Sequence, residues 1–283
     1  MEVAKYFVVA SRTLLFYDII TNIDDEIRYI WSKPWSLVRF IYHVNRLWPV
    51  VLLGATTPAF FVPSPSAQVD LSTSLDPMTL TALSKICKAI VVAGSYGTAL
   101  AIVCPGFVMT LRVWALYERQ KMVLFWLLLG QTCLALPALI EIKLQADHNM
   151  YLGNPAPGVL TGCVVRLTSF AWVPYVFALV HESAIFGLTI WKTWRLNREF
   201  GSMALTTQLT LDGSLYYIGL LLLLLFCCWG VTFEVLKIGT SASGFVVAMN
   251  SIMCNRMIVS LHIFTEKIKE KDLKISIRTY HIV

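Results

Sequence analysis

Ionisable and amide side chains stand where the chain is otherwise apolar. Arg39, His43 and Arg46 fall within 35–53, His181 and Glu182 within 168–191, Asp212 within 211–233, and Asn250, Asn255 and Arg256 within 242–264. Asp18 lies near the end of an earlier apolar run, 4–20. Arg39, His43 and Arg46 are spaced i, i+4, i+7, which puts all three on one face of a helix. A charged group facing hydrocarbon is costly, so such groups turn to a bundle interior or a wet cavity and pair there. Arg46, near the middle of its run, therefore needs a carboxylate or several carbonyls, and Asp18, Glu182 and Asp212 are the expected partners. Singly, each polar residue reads more simply as interhelical glue worth about 1 kcal/mol per hydrogen bond. Together, Asp18, Arg39, His43, Arg46, His181, Glu182, Asp212, Asn255 and Arg256 point to an internal polar pocket.

Specific site chemistries find little support. His181-Glu182-Ser183-Ala184-Ile185 opens like the zinc-protease helix motif, but Ile185 occupies the place where the second His must sit to share the metal. An intramembrane zinc hydrolase is the one enzymatic alternative weighed, and it lacks ligands: the apolar runs hold only His43, His181 and His262. No Lys occurs in 242–264 to carry a retinal Schiff base, and no glycine-rich phosphate loop is present. No catalytic residue, cofactor or metal is expected, and no nucleic-acid partner.

The elements that must position these residues are seven apolar runs, at 4–20, 35–53, 86–111, 122–142, 168–191, 211–233 and 242–264. A membrane-spanning helix needs roughly 20 mostly apolar residues, because lipid offers its backbone groups no hydrogen bonds. Hydrophobic residues make up 57% of the chain, charged ones 14%, and the mean hydropathy is +0.67, well above a soluble domain. The expected fold is all-α: a polytopic seven-helix transmembrane bundle over 1–264 with a short basic tail, 265–283. Seven spans consume about half of the chain, leaving no room for a second sizeable domain. A cleaved signal peptide is the competing reading of the first run, but Arg12 and Asp18 interrupt it and no small-residue cleavage site follows.

Loop charges give an orientation. On one side lie Arg28, Lys33, Arg112, Arg119, Lys121, Lys192, Arg195, Arg198, Lys267, Lys269, Lys271, Lys274 and Arg278. They outnumber Lys5, Lys85, Lys88, Lys143, Arg166 and Lys237 on the other by roughly two to one. The expected topology is receptor-like, with the N-terminus outside and the C-terminus cytosolic, in the plasma membrane or another membrane of the secretory pathway. The stretch 54–84, without Lys or Arg and rich in Pro, Ser and Thr, suits an external loop. Five of the seven cysteines lie inside apolar runs. Cys87 and Cys163 fall at the external side, in an oxidising compartment, and are expected to pair.

At the cytosolic side, Asp24, Asp25 and Glu26 make the first loop acidic, and Trp31 and Trp35 fit an interfacial belt. Packing against basic residues such as Arg112 accounts for that loop, and a docking surface for a cytosolic signalling partner, formed by Asp24, Asp25, Glu26 and Arg112, is the functional alternative. The basic tail is expected on the inner leaflet, where each Lys or Arg gains roughly 1 kcal/mol from anionic lipid.

Phe16-Tyr17-Asp18-Ile19-Ile20-Thr21, Asp25-Glu26-Ile27, Ile30-Trp31 and Lys33-Pro34-Trp35-Ser36 resemble the N-terminal signature of DUF6533, a family of mushroom-forming fungi whose function is uncharacterised. The similarity continues through Leu111-Arg112-Val113-Trp114-Ala115-Leu116-Tyr117, Glu182-Ser183-Ala184-Ile185-Phe186 and Asp212-Gly213-Ser214-Leu215-Tyr216-Tyr217. The chain departs from the pattern at Leu47, where a Tyr is expected, and at Leu211, where an Arg is expected. The resemblance implies a seven-span membrane protein, and similar cysteines in the family strengthen the Cys87–Cys163 pairing. Two functional classes follow: a receptor-like sensor coupling an external or lipid ligand to the cytosolic loops, and, as the alternative, a small-solute transporter or channel in which Arg46, Glu182 and Arg256 line the path.

Overall fold

The computed structural model describes residues 2–61, 77–148, 151–152, 164–165, 172–200 and 204–280. Long helices follow one another: α1 (Glu2–Glu26), α2 (Leu37–Thr56), the one-turn α3 (Pro58–Phe61), α4 (Pro77–Leu116), α5 (Lys121–His148), α6 (Val173–Phe200), α7 (Ala204–Gly230), α8 (Glu234–Ala242) and α9 (Phe245–Tyr280). A π-helical turn, Ile27–Trp31, extends α1, and β1 (Tyr151–Leu152) and β2 (Val164–Val165) form a two-residue antiparallel ladder between α5 and α6. The protein is all-helical apart from that ladder.

Five helical stretches are long and apolar enough to cross a membrane: Lys88–Leu116, Lys121–Leu144, Val173–Arg198, Gly213–Gly230 and Leu236–Ile263. The chain is thus a membrane protein with at least these candidate spans. Helices α1 and α2 fall outside that set because their polar residues lower the average, yet the two faces of each helix differ sharply. On α1, Ser11 and Asp18 are buried while Tyr6, Val9, Leu14, Phe16, Tyr17 and Ile20 are exposed; on α2, Asn45 and Arg46 are buried while Phe40, Leu47 and Val51 are exposed. Polar groups inward and large apolar groups outward is the arrangement a lipid solvent imposes.

Helix α9 is the central post, packed against α1, α2, α4, α7 and α8; α5 and α6 close the other side, α6 lying between α5 and α7. The main apolar core runs through Tyr42, Met109, Val113, Tyr175, Ile185, Tyr216, Leu224, Cys227, Cys254 and Met257. Helix α2 begins where Ser36, in extended conformation, accepts a hydrogen bond from the Arg39 backbone N–H at 3.2 Å, an N-cap that follows naturally from Pro34 two residues earlier. Gly97 brings α4 close to α2, since a Cβ there would run into the Leu52 side chain, and the same approach lets the Trp48 indole N–H donate to the Gly97 carbonyl at 3.0 Å.

Several sequence expectations are corrected. The last apolar run does not begin at Ala242 as one helix: Ala242 ends α8, the chain breaks at Ser243–Gly244, and α9 restarts at Phe245. Gly244 sits at φ +79°, a left-handed conformation that glycine adopts without steric cost. Residues 265–280, expected as a separate tail, continue α9 without interruption. Asp24, Asp25 and Glu26 are not loop residues but the last turn of α1, which shrinks the first loop to a few residues around Pro34. Cys163 lies outside the described residues, as does the side chain of Cys87, so the expected disulfide falls there too.

Candidate functional site

The buried charges assemble in one place, where α1, α2 and α9 meet. Asp18 on α1 is 2% exposed and takes two cations: Arg46 of α2 donates from Nη1 to Oδ2 at 2.6 Å, and Arg256 of α9 donates from Nε to Oδ1 at 2.8 Å. Arg46, itself buried, also donates to the Asp18 carbonyl at 3.2 Å and makes a second ion pair with Glu26, two turns further along α1. Two carboxylates and two guanidiniums thus balance in charge. Arg46 holds the interior, while the Arg256 side chain is 57% exposed. Burial pushes the Glu26 carboxyl above its ordinary range, and the nearby Arg46 guanidinium pulls against that shift.

A neutral layer continues the network. Asn45, beside Arg46, donates to Asn255 Oδ1 at 2.9 Å; Ser251 donates to the Asn45 carbonyl at 2.7 Å, and Asn255 to the Ser251 hydroxyl at 3.3 Å. These bonds fix the register of α2 against α9, so that Arg46 and Arg256 reach the same carboxylate. At the other end of the bundle, Arg12 of α1 donates to the Ser243 carbonyl at 2.5 Å, the Leu53 carbonyl at 3.2 Å and the Thr57 hydroxyl at 3.1 Å. It draws on carbonyls freed where α8 breaks and where α2 ends, and so is satisfied without a carboxylate.

The expected pocket residues therefore divide. Asp18, Arg46, Asn255 and Arg256 come together. Arg39 and His43 sit on the same helix face but outside that network, in an aromatic cluster: the Arg39 guanidinium lies 4.4 Å over the Trp35 ring, and His43 is flanked by Trp31, Trp35 and Tyr42. His181 and Glu182 belong to a separate wall of the bundle, beside Gly106 and Gln131. Glu182, named as a partner for Arg46, does not pair with it; Glu26, assigned to a cytosolic docking surface, does. The Asp212 side chain lies outside the described residues, though Arg112 rests against its neighbour Gly213 and donates to Met257 Sδ at 2.9 Å. Arg112 is half-buried in this packing, while Asp24 and Asp25 remain exposed.

Asn45 and Arg12 join the site without being among the expected pocket residues. Arg12 carried a signal, a charge inside an apolar run. Asn45 carried a weaker one, since it precedes Arg46 and shares a helix face with Trp48 and Leu52. Just past the C-terminal end of α4, Glu118 and Arg119 both adopt φ near +60° (57° and 59°), two successive left-handed residues that are not glycine. Such strain persists only where surrounding contacts hold it, here the Trp114 indole N–H donating to the Gln120 carbonyl at 3.1 Å.

Residues 6–51 match the model of DUF6533, a family of unknown function. The matched segment contains Arg12, Asp18, Glu26 and Arg46 and runs from the first turns of α1 almost to the end of α2; Arg256 lies outside it. Neither a curated protein nor a solved structure is similar to the chain.

Proposed function

We propose that the chain is a seven-span, receptor-like sensor with its N-terminus outside and its C-terminus in the cytosol. In this reading α1 and α2 span the membrane together with the five strongly apolar stretches. The observation that carries it is the Asp18–Arg46–Arg256 junction. One carboxylate joins the α1–α2 pair to the central helix α9, and the α9 partner is the half-exposed one, so a ligand or lipid contact that moves α9 breaks the Arg256 arm before the buried Arg46 arm. The movement has a route to the cytosolic ends. Glu26 carries it into the π-helical turn, a local irregularity of the kind that often marks functional sites, and Lys33 pairs with Glu266 of α9 at that same end.

The topology has a direct test. With Lys33→Cys, Gln120→Cys and Phe61→Cys introduced singly in intact cells, a membrane-impermeant maleimide is expected to label Phe61→Cys at once, and the other two only after permeabilisation. Labelling of Phe61→Cys and Lys33→Cys from the same side would mean that α2 does not cross.

The sensor reading is tested in reconstituted vesicles. No saturable uptake of small solutes is expected, while Arg256→Ala, which releases α9, is expected to raise the maleimide reactivity of Gln120→Cys at the strained α4–α5 turn severalfold. Saturable uptake that Arg46→Ala abolishes would overturn the sensor and establish the transporter.

A further inference from the structure

Three acidic side chains among the described residues are buried: Asp18, Glu26 and Glu182. The first two meet arginines. Glu182, in the first half of α6 and 9% exposed, makes no ion pair and no hydrogen bond with any described residue.

Its surroundings explain why. The carboxylate lies over Gly106 of α4, where a Cβ would sit 3.5 Å from Glu182 Oε1, 3.4 Å from Gln131 Nε2 and 3.6 Å from His181 Cε1. The groups that could answer a charge are engaged elsewhere or turned away. From α5, Gln131 donates to the Val103 carbonyl at 3.2 Å and its own oxygen accepts from Thr110 of α4 at 3.3 Å. From α7, the Tyr216 hydroxyl donates to Asn250 Oδ1 at 3.2 Å. From α6 itself, His181 brings its Cε1 to the same space and makes no hydrogen bond to Glu182. From α9, Cys254 offers a buried thiol, with the Cys104 thiol of α4 beside it. Arg112, the charged residue of α4 nearest in sequence, is directed at Met257 and Gly213.

An ionised carboxylate held this way inside a membrane bundle carries a desolvation penalty that no described residue offsets with an ion pair or hydrogen bond, and a neutral carboxyl carries less of it. Among the described residues no group of three or more His, Cys, Asp or Glu side chains is assembled to hold a metal ion. The remaining small cation that needs no further ligands is the proton. We propose that Glu182 is a proton-binding site within the α4–α5–α6–α7 wall: its carboxylate takes one proton from water to form a neutral carboxyl and returns it on deprotonation, no other bond being made or broken. This goes beyond the sensor reading and stands whether or not the bundle signals. Release of the proton leaves a bare charge beneath α5, so the protonated form packs α5 against α4 and α6 more tightly than the ionised form does.

Infrared spectroscopy of the full chain in phosphatidylcholine nanodiscs tests this. At neutral pH a carboxylic-acid C=O band is expected, shifted in D2O, shifted again in protein grown with ¹³C-carboxyl glutamate, and lost in Glu182→Gln. As pH rises through the loss of that band, the thermal midpoint of the native chain is expected to fall. The sign follows because loss of the proton leaves a charge in the packed wall; the midpoint of Glu182→Gln is expected to change less over the same range. If Glu182→Gln fails to fold, Glu182→Asp serves in its place: the acid band of the ¹³C-labelled native chain is expected to lose its label there, while a band from Glu26 would keep it. Absence of a glutamate acid band at neutral pH, or its undiminished persistence in Glu182→Gln, overturns the proposal. Loss of the band on adding NaCl at constant pH also overturns it, in favour of a sodium site. None of these outcomes bears on vesicle uptake or on the Gln120→Cys reactivity, so the two readings fail separately.

Discussion

Asp18→Asn is expected to be the most destabilising single polar substitution in the molecule. It removes the carboxylate that two arginines share and leaves Arg46 buried with only Glu26 as counter-charge. Breaking one side of a buried pair costs about 3–5 kcal/mol, because the surviving charge stays desolvated without its partner. Thermal unfolding of the purified chain, followed by the reactivity of its buried cysteines Cys227 and Cys254, should show a large downward shift in midpoint and a lower yield of folded protein. The pattern across the network is the sharper test. Arg46→Gln is expected to fall in the same range, since it strands Glu26 and leaves Asp18 with only the half-exposed Arg256. Arg256→Gln is expected to cost under about 1 kcal/mol, because its side chain is more than half exposed. Asp18→Asn combined with Arg46→Gln should cost less than the sum of the two single changes, because the Asp18–Arg46 pair is then lost only once, although Glu26 still loses its arginine. Equal effects for Arg46 and Arg256, or simple additivity in the double variant, would show that the junction does not act as one buried ion network.

Gly244→Val is the second large effect. The residue holds φ +79°, where a side chain costs roughly 1–2 kcal/mol and a β-branched one is worse still. A Cβ would also drive into the Leu53 side chain at the end of α2, and overpacking of that kind adds about 1–3 kcal/mol. The consequence is more than local. The preceding residue, Ser243, gives its carbonyl to Arg12 at 2.5 Å and to the Ser11 hydroxyl at 3.2 Å, so displacing the break also strips an acceptor from the half-buried Arg12 guanidinium. The thermal midpoint is expected to drop steeply, with a smaller drop for Gly244→Ala. Gly187→Ala is the matched control. That glycine is helical, with open space around its missing Cβ, and the exchange should be neutral or stabilising by up to about 1 kcal/mol. A Gly244→Val midpoint no lower than that of Gly187→Ala would mean that the α8–α9 break has no fixed geometry.

Individual residues show how much could be read beforehand. The apolar runs at 86–111, 122–142, 168–191 and 211–233 announce helices α4 to α7 directly, because a spanning helix must be apolar over its whole length. The runs containing Arg12, Asp18 and Arg46 are harder: hydropathy averages the two faces of a helix, while lipid meets only one of them. Asp18 stood among three acids that could meet Arg46, and nothing in the local sequence ranks it above Glu182. The choice depends on α1 and α2 being antiparallel neighbours while α6 lies across the bundle. Glu26 was placed in a loop because the apolar run stops at Ile20, but a helix buried by its partners continues past the end of its own apolar stretch. The Gly244 break likewise shows in the sequence only as Ser-Gly within an apolar run, which does not by itself distinguish a kink from an ordinary small-residue contact.

By itself, then, the sequence determined the class of solvent this chain must meet, the identity of most of its helices and the list of side chains too polar to face lipid, because each of these follows from composition over one helix length. Tertiary structure alone decided the pairing: that Asp18 serves both Arg46 and Arg256, that Arg12 is met by the carbonyls of Ser243 and Leu53, and that Glu182 is left without a counter-charge among the described residues. Such pairings join positions up to more than two hundred residues apart, and a charge within a membrane is satisfied by whichever neighbour the packing of helices brings to it, not by anything in its own stretch of chain.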